Sequence, residues 1–546
     1  MSSGARSVDP LSRGPVSVNS PDVDTAALAG VASRLVGKDA GLWGPDAEEE
    51  SRIRLGWLDL PRSSQELLPR LNELRDALRA TGLDHVVLAG MGGSSLAPEV
   101  ITRTAGVDLT VLDTTDPHQI RAALADRLDR TVLVVASKSG STVETDSHRR
   151  AYEQAFRDAG LSDDDLAHRV VVVTDPGSTL ETSAREAGYQ VVLADSNVGG
   201  RYSALSAFGL VPSVLAGVDV EGLLASAREL QDQLGGDTDN PGLLLGAAIG
   251  AAAAEGRDKL VIADTGSGIV GFGDWAEQLV AESTGKQGTG VLPVVVEDTD
   301  SPGFADAGKD AHRVVIGTAP SGFDGTVVAG PLGAQFLLWE YATAVAGKVL
   351  GINPFDQPNV AESKDNTKKL LDRYDTAGDG PLPEGEPLFT DGAVAVYGDE
   401  TLLRGAKDLP AAITALLDAV PDGGYLAVMA YLDRFGDAAA AELRATLAGR
   451  LGGRQVTFGW GPRFLHSTGQ FHKGGPQNQA FLQVTGAVTA DLQVPGRPYT
   501  FGRLQLAQAL GDLGALTERG RPAVRLHLLD RAAGLSQLLN ACEDPG

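Results

Sequence analysis

Apolar runs closed by glycine- or hydroxyl-rich turns alternate with stretches in helical period through the first half of the chain. His85-Val86-Val87-Leu88-Ala89 reads as a buried strand, Gly90-Met91-Gly92-Gly93-Ser94-Ser95 as a glycine-rich turn, and Leu96 to Thr104 as a helix. Thr131 to Val135, Ser137 to Thr145 and Asp146 to Tyr152 repeat the strand, loop and helix. Leu109 to Leu112, Val170 to Val173 and Val191 to Leu193 are further strands. Strands separated by helices predict a mostly parallel sheet covered on both faces. Two helices are expected before it, Thr25 to Lys38 and Ser64 to Thr81, the second with Leu67, Leu68, Leu71, Leu74 and Leu78 in helical spacing.

A helical linker, Val220 to Glu255, leads to a second unit of the same style. Its strands are Leu260 to Asp264, Val291 to Glu297 and Val314 to Ile316, and its helices Gly273 to Glu282 and Leu332 to Val349. Residues 375–395 are rich in glycine, proline and acid and read as a loop or junction. Strand signals return at Gly424 to Leu432, Gln455 to Gly459, Phe481 to Val484 and Val524 to Leu529, with helices at Leu409 to Ala419 and Leu504 to Leu516. At 546 residues more than one domain is expected. The expected organisation is a flexible tail over 1–23, a first α/β domain with N-terminal helices over 24–240, the start of a second over 241–375, and an α/β region over 376–546 that completes the second.

Composition changes this picture little. With 42% hydrophobic and 22% charged residues the chain reads as an ordinary soluble globular protein. Leu243 to Ala254 is too short to span a bilayer, and the polar N-terminus lacks the apolar core of a secretory signal. One cysteine, Cys542, excludes a disulfide framework and fits a reducing cytoplasm. The net charge of −26 argues against nucleic-acid and anionic-membrane partners. It leaves room for an anionic metabolite, because global repulsion is screened beyond roughly 8–10 Å at physiological salt.

Candidate chemistry gathers in the loops after the strands, where α/β sheets bind ligands. Ser137-Lys138-Ser139-Gly140-Ser141-Thr142 joins a strand to a helix with hydroxyls, one glycine and one lysine. Hydroxyls, free backbone N–H groups and the helix N-terminus together suit a phosphate. The pattern is not a Walker loop, and its plainer reading is a serine-rich turn with a helix cap. Gly266-Ser267-Gly268-Ile269-Val270-Gly271 has the spacing of a dinucleotide fingerprint, with Glu297 and Asp298 at the end of a later strand. Phe272-Gly273-Asp274 delays the helix beyond the third glycine, which weighs against that reading. Glu282, at the end of a helix beside Ser283, Thr284 and Gly285, is a candidate general base or an exposed helix-end acid.

Five segments in one order resemble the phosphoglucose isomerase family: Gly90–Leu96, Ser137–Thr145, Gly199–Leu210, Glu282–Lys286 and Asn353–Lys364. The resemblance implies two sugar-isomerase-type α/β domains with mostly parallel sheets flanked by helices, and interconversion of glucose 6-phosphate and fructose 6-phosphate through a cis-enediol, a step of glycolysis and gluconeogenesis. Glu282 would move the proton between C1 and C2, Arg201 would stabilise the enediolate, and Lys364 and a histidine would open the ring. Gly93, Ser94, Ser137, Lys138, Ser139, Thr142, Glu144, Gly200 and Gln470 would bind the sugar phosphate. No cofactor and no metal are implied. A cytoplasmic homodimer is. The chain departs from the family in one place: Phe464-Leu465-His466-Ser467-Thr468-Gly469-Gln470 carries the family-like histidine motif about a hundred residues after Lys364 instead of before it. His466 is the expected ring opener, with His472 on the other side of Gln470 as its rival. Extended bacterial forms of this kind are similar to the isomerase half of transaldolase fusions. A non-catalytic sugar-phosphate regulator of the same fold is the second hypothesis and an NAD-dependent dehydrogenase the third. The presence of Glu282, Arg201 and Lys364 together favours the enzyme.

Overall fold

The structure, a computed structural model, describes residues 15–21, 23–377, 382 and 384–543. A short strand, β1 (Ser17–Asn19), comes first. The first sheet is built from β2 (His85–Gly90), β3 (Thr110–Leu112), β4 (Thr131–Ala136), β5 (Val170–Thr174) and β6 (Gln190–Leu193). All are parallel, in the order β3-β2-β4-β5-β6. Every residue of β2 and β4 is buried, as largely apolar runs between two helical layers must be, and the polar residues that start them, His85 and Thr131, bond each other. The strand order reverses between these two strands. Their following turns, which lead into α1 (Leu96–Ala105) and α2 (Val143–Asp158), therefore open side by side at a topological switch point.

The second sheet contains β7 (Lys259–Thr265), β8 (Leu292–Val295), β9 (Ala311–Gly317) and β10 (Thr326–Ala329), in the order β1-β10-β9-β7-β8. β1 lies antiparallel to β10, with Ser17 opposite Ala329. Residues 17–19 were expected in the flexible tail. They pair because Val16 and Val18 alternate with polar neighbours and bury their side chains on this edge. Residues 1–14 and 22 of the expected tail lie outside the described residues.

The stretch expected as a helical linker is core instead. It forms α3 (Glu221–Gln231) and α4 (Pro241–Ala254), which with α5 (Phe272–Thr284) surround α6 (Leu332–Leu350). Every residue of α6 from Leu332 to Gly347 is buried. Gly242, Gly246 and Gly250 let α4 press its backbone onto α6. A Cβ at Gly246 would lie 2.5 Å from Cβ of Val345 and 2.7 Å from the Ala342 carbonyl oxygen. The glycines of the dinucleotide-like pattern turn the chain with φ of +73°, +78° and +80° at Gly266, Gly268 and Gly271. α5 starts only after the third, so no helix N-terminus is presented inside the pattern. Glu297 is held by Arg444, 2.7 Å from its Nε.

Two sheets were expected, and the described residues form three. α7 (Ala361–Ala377) leads to β11 (Phe389–Asp391) and β12 (Val394–Tyr397), an antiparallel pair that begins inside the stretch read as a junction and ends just beyond it. Residues 378–381 and 383 of that stretch lie outside the described residues. With β13 (Tyr425–Tyr431), β14 (Gln455–Trp460), β15 (Gln479–Gly486) and β16 (Ala523–Leu528) they form a sheet in the order β11-β12-β16-β15-β13-β14. The strand signals were sound, but these strands pair with one another and not with β7 to β10. They have their own apolar core around Leu426, Val428, Leu482, Val484 and Leu526. Two helices of this region face the other sheets, α8 (Gly469–Gly474) and α9 (Phe501–Glu518).

Candidate functional site

A cavity of about 590 Å3 opens where the turns after β2 and β4 meet α5, α7 and the segment before α8. One wall is the hydroxyl-rich loop. Ser137 Oγ and Thr142 Oγ1 are 3.0 Å apart, and Ser139 Oγ and Ser141 Oγ 2.8 Å. Thr142 occupies the N-cap position of α2, yet its hydroxyl makes no capping hydrogen bond, which removes the plainer reading of this loop. Gly140 has φ of +73°, and a Cβ there would meet Leu180 Cβ at 2.8 Å. Lys138 forms an ion pair with Asp175. Burial pushes the Asp175 carboxyl up, and Lys138 opposes that shift. Gly93 and Ser94 line the same wall, and a Cβ at Gly93 would fall 1.9 Å from the Gly200 carbonyl oxygen, so only glycine lets these two turns touch.

Ser137→Ala combined with Thr142→Ala removes two donors from this wall. Hydrogen bonds to charged groups contribute roughly 1.5–3 kcal/mol each. Calorimetry with inorganic phosphate and with fructose 6-phosphate should show affinity for both falling by at least about tenfold. Unchanged affinities would leave the loop without a role in phosphate binding.

Glu282 and Arg201 line another part of the cavity. Glu282 is 8% exposed, so it is not the solvent-facing helix-end acid of the plainer reading. Its Oε1 lies 3.4 Å from Arg201 Nη1, and its Oε2 accepts from Gln278 Nε2 at 3.1 Å. Arg201, 3% exposed in the short turn Gly200–Tyr202, donates to Ser283 Oγ at 2.8 Å, to the carbonyls of Pro354 and Asp356 at 2.9 and 3.0 Å, and to Gln357. This fan of acceptors holds the guanidinium plane beside the carboxylate. Lys286 reinforces it from behind, donating to the carbonyls of Asn353 and Asp356. Burial and the nearby Arg201 push the Lys286 ammonium down to about 8, against the pull of Asp356.

At the third side His466 lines the cavity with Lys364 of α7. Its Nε2 lies 3.0 Å from Glu144 Oε1. Glu144 is fully buried; burial pushes its carboxyl up, but His466 and Lys364 hold it down to about 2, ionised at neutral pH. An ionised carboxylate can only accept, so Nε2 carries the hydrogen and Nδ1 is the nitrogen left for a ligand. The short turn Arg463–His466 is anchored by Arg463, which donates to Glu99 and lies 3.2 Å from Asp113 Oδ2. His472 is elsewhere, 3% exposed among Tyr425 and Phe481, with Nδ1 2.8 Å from the Tyr425 hydroxyl. Burial, with Lys473 and Arg521 close by, pushes it down to about 3.

Eleven of the thirteen residues singled out in the sequence line this cavity: Gly93, Ser94, Ser137, Lys138, Ser139, Thr142, Gly200, Arg201, Glu282, Lys364 and His466. The other two stand behind it. Glu144 backs His466, and Gln470 staples Gly285 to Asn359 through bonds of 2.8 and 2.9 Å. Sequence reasoning missed Gln278, Gln357 and Asp175. Gln278 lies one helical turn before Glu282 on the same face, a spacing that was available as a signal. Among the described residues no group of three or more His, Cys, Asp or Glu side chains could hold a metal ion, and no helix is long and apolar enough to cross a membrane.

The sequence model of the phosphoglucose isomerase family matches residues 76–315. A probable glucose-6-phosphate isomerase of Haloarcula marismortui is 35% identical over 236 residues, 42% of this chain and 53% of that protein. The match thus spans about half the length of that relative. A glucose-6-phosphate isomerase of Rubrobacter xylanophilus is 29% identical over 424 residues, 62% of this chain and 96% of that protein. Among solved structures, a glucose-6-phosphate isomerase of Chlamydia trachomatis superposes with a TM-score of 0.56 at 20% identity, covering 67% of this chain and 90% of the other, and shares its fold.

Proposed function

The chain belongs to the phosphoglucose isomerase family, and from that premise we propose that it interconverts glucose 6-phosphate and fructose 6-phosphate by moving one proton between C1 and C2. The observation that carries the proposal is the pairing of a buried carboxylate with a fixed guanidinium across one cavity from a phosphate-type loop: Glu282 Oε1 lies 3.4 Å from Arg201 Nη1. Proton transfer along a cis-enediol needs a single carboxylate that can reach both carbons. The negative charge then develops on O1 or O2, where a cation fixed in advance stabilises it without reorganisation. The hydroxyl loop would hold the phosphate, leaving C1 and C2 at the far wall. His466, with Glu144 behind it, would deliver and accept the ring-opening protons, and Lys364 would bind beside it. The reaction belongs to glycolysis and gluconeogenesis. A homodimer and a cytoplasmic location are part of the same proposal; the groups named above all come from one chain, so assembly is not needed to bring them together.

Purified protein should convert fructose 6-phosphate to glucose 6-phosphate, followed with glucose-6-phosphate dehydrogenase, with no metal in the preparation beyond what the coupling enzyme requires. Absence of turnover together with retained phosphate-ester binding would favour the regulator over the enzyme.

A further inference from the structure

α9, far along the chain from Glu144, turns a stripe of polar side chains inward at i, i+3 and i+7. Gln505 Nε2 donates to Asp116 Oδ2 at 3.2 Å, in the first α/β unit. Asp512 accepts from Lys473 Nζ at 2.7 Å and from Ser363 Oγ at 2.9 Å, one residue before Lys364. Between them, Gln508 is 2% exposed and bonded at both ends of its amide. Its Nε2 donates to Glu144 Oε1 at 2.7 Å, and its Oε1 accepts from Thr115 Oγ1 at 2.7 Å. The amide orientation is fixed by its neighbours, because the ionised Glu144 can only accept and a flipped amide would set oxygen against oxygen.

We propose that Gln508 is a positioning residue for ring opening: it holds the Glu144 carboxylate in the one orientation that presents His466 to the sugar ring. The inference rests on the isomerase reading above. Glu144 Oε1 serves two donors, His466 and Gln508. A carboxylate on a short stem with one donor swings about its χ angles, and the imidazole it holds swings with it. The second donor removes that freedom, and Thr115, which is fully buried, in turn fixes the amide. The first α/β unit supplies the carboxylate and the third sheet's helix supplies the group that aims it. The lysine helix α7 is held to α9 four residues further on, at Asp512.

The test compares two substrates. Fructose 6-phosphate closes a ring; 5-deoxyfructose 6-phosphate, lacking the C5 hydroxyl, cannot, and needs only proton transfer. Gln508→Leu should lower kcat on fructose 6-phosphate by about 10- to 100-fold, the worth of one hydrogen bond to a charged acceptor, while the 5-deoxy substrate changes less than about threefold. Thr115→Val, nearly isosteric, should act in the same sense by a smaller factor and decides the matter if Gln508→Leu does not fold. Equal losses on both substrates would overturn the positioning role. An inactive wild-type enzyme would instead overturn the isomerase reading, so the two failures are distinguishable.

Discussion

Glu282→Gln should lower turnover in both directions by about 100- to 10,000-fold, the range over which a positioned general base acts. The amide has the size of the carboxylate and can still bond Gln278, so the cavity keeps its shape. What it loses is the basic oxygen 3.4 Å from Arg201. Exchange of the C1 hydrogen of fructose 6-phosphate with solvent deuterium, read by NMR, should fall with turnover, because on the proposed mechanism the same carboxylate would take that proton. Affinity for inorganic phosphate should stay within about twofold of wild type, since Glu282 makes no contact with the hydroxyl loop. Near-normal exchange in this variant would remove Glu282 from the chemistry and leave Arg201 beside a carboxylate of purely structural use.

What could be read from the sequence is what lies close along the chain. The turns after β2 and β4 announce themselves, since an apolar strand, a hydroxyl- or glycine-rich loop and a helical period follow one another within about twenty residues. The arrangement of strands into sheets is a different matter. β13 to β16 carry ordinary strand patterns, and nothing local says that they pair with one another and not with β8 at the edge of the second sheet. β1 is too short for periodicity to register. Contacts behind the cavity were the least legible. Glu144 and His466 are 322 positions apart, and Glu144 and Gln508 are 364. Gln508 sits in a helical stretch whose leucines and alanines dominate the pattern, and a glutamine on a buried face gives no signal until its partners are known. Resemblance supplied Glu144 as a site residue, but only the structure relates it to the histidine.

The histidine itself is where the two remaining readings part most widely. His466→Ala should slow fructose 6-phosphate by at least ~100-fold while 5-deoxyfructose 6-phosphate, which never closes, loses less than about threefold. Ring opening needs an acid at the ring oxygen and a base at the anomeric hydroxyl, and an imidazole can be either near neutral pH. With Nε2 bound to Glu144, His466 would exchange the proton through Nδ1, on the cavity side. His472 is equally near in sequence but lies outside the cavity, packed against Phe481 and bonded to Tyr425, and burial keeps it neutral down to about pH 3. A group that does not line the cavity cannot pass a proton to or from the sugar ring. His472→Ala should therefore leave the ratio of the two rates unchanged and lower the melting temperature, because it opens a cavity and strips the buried Tyr425 hydroxyl of its partner. If His472→Ala changes the ratio and His466→Ala does not, the assignment is reversed. Equal losses on both substrates for His466→Ala would make it a group that positions the open-chain sugar, and ring opening would then fall to Lys364 and water.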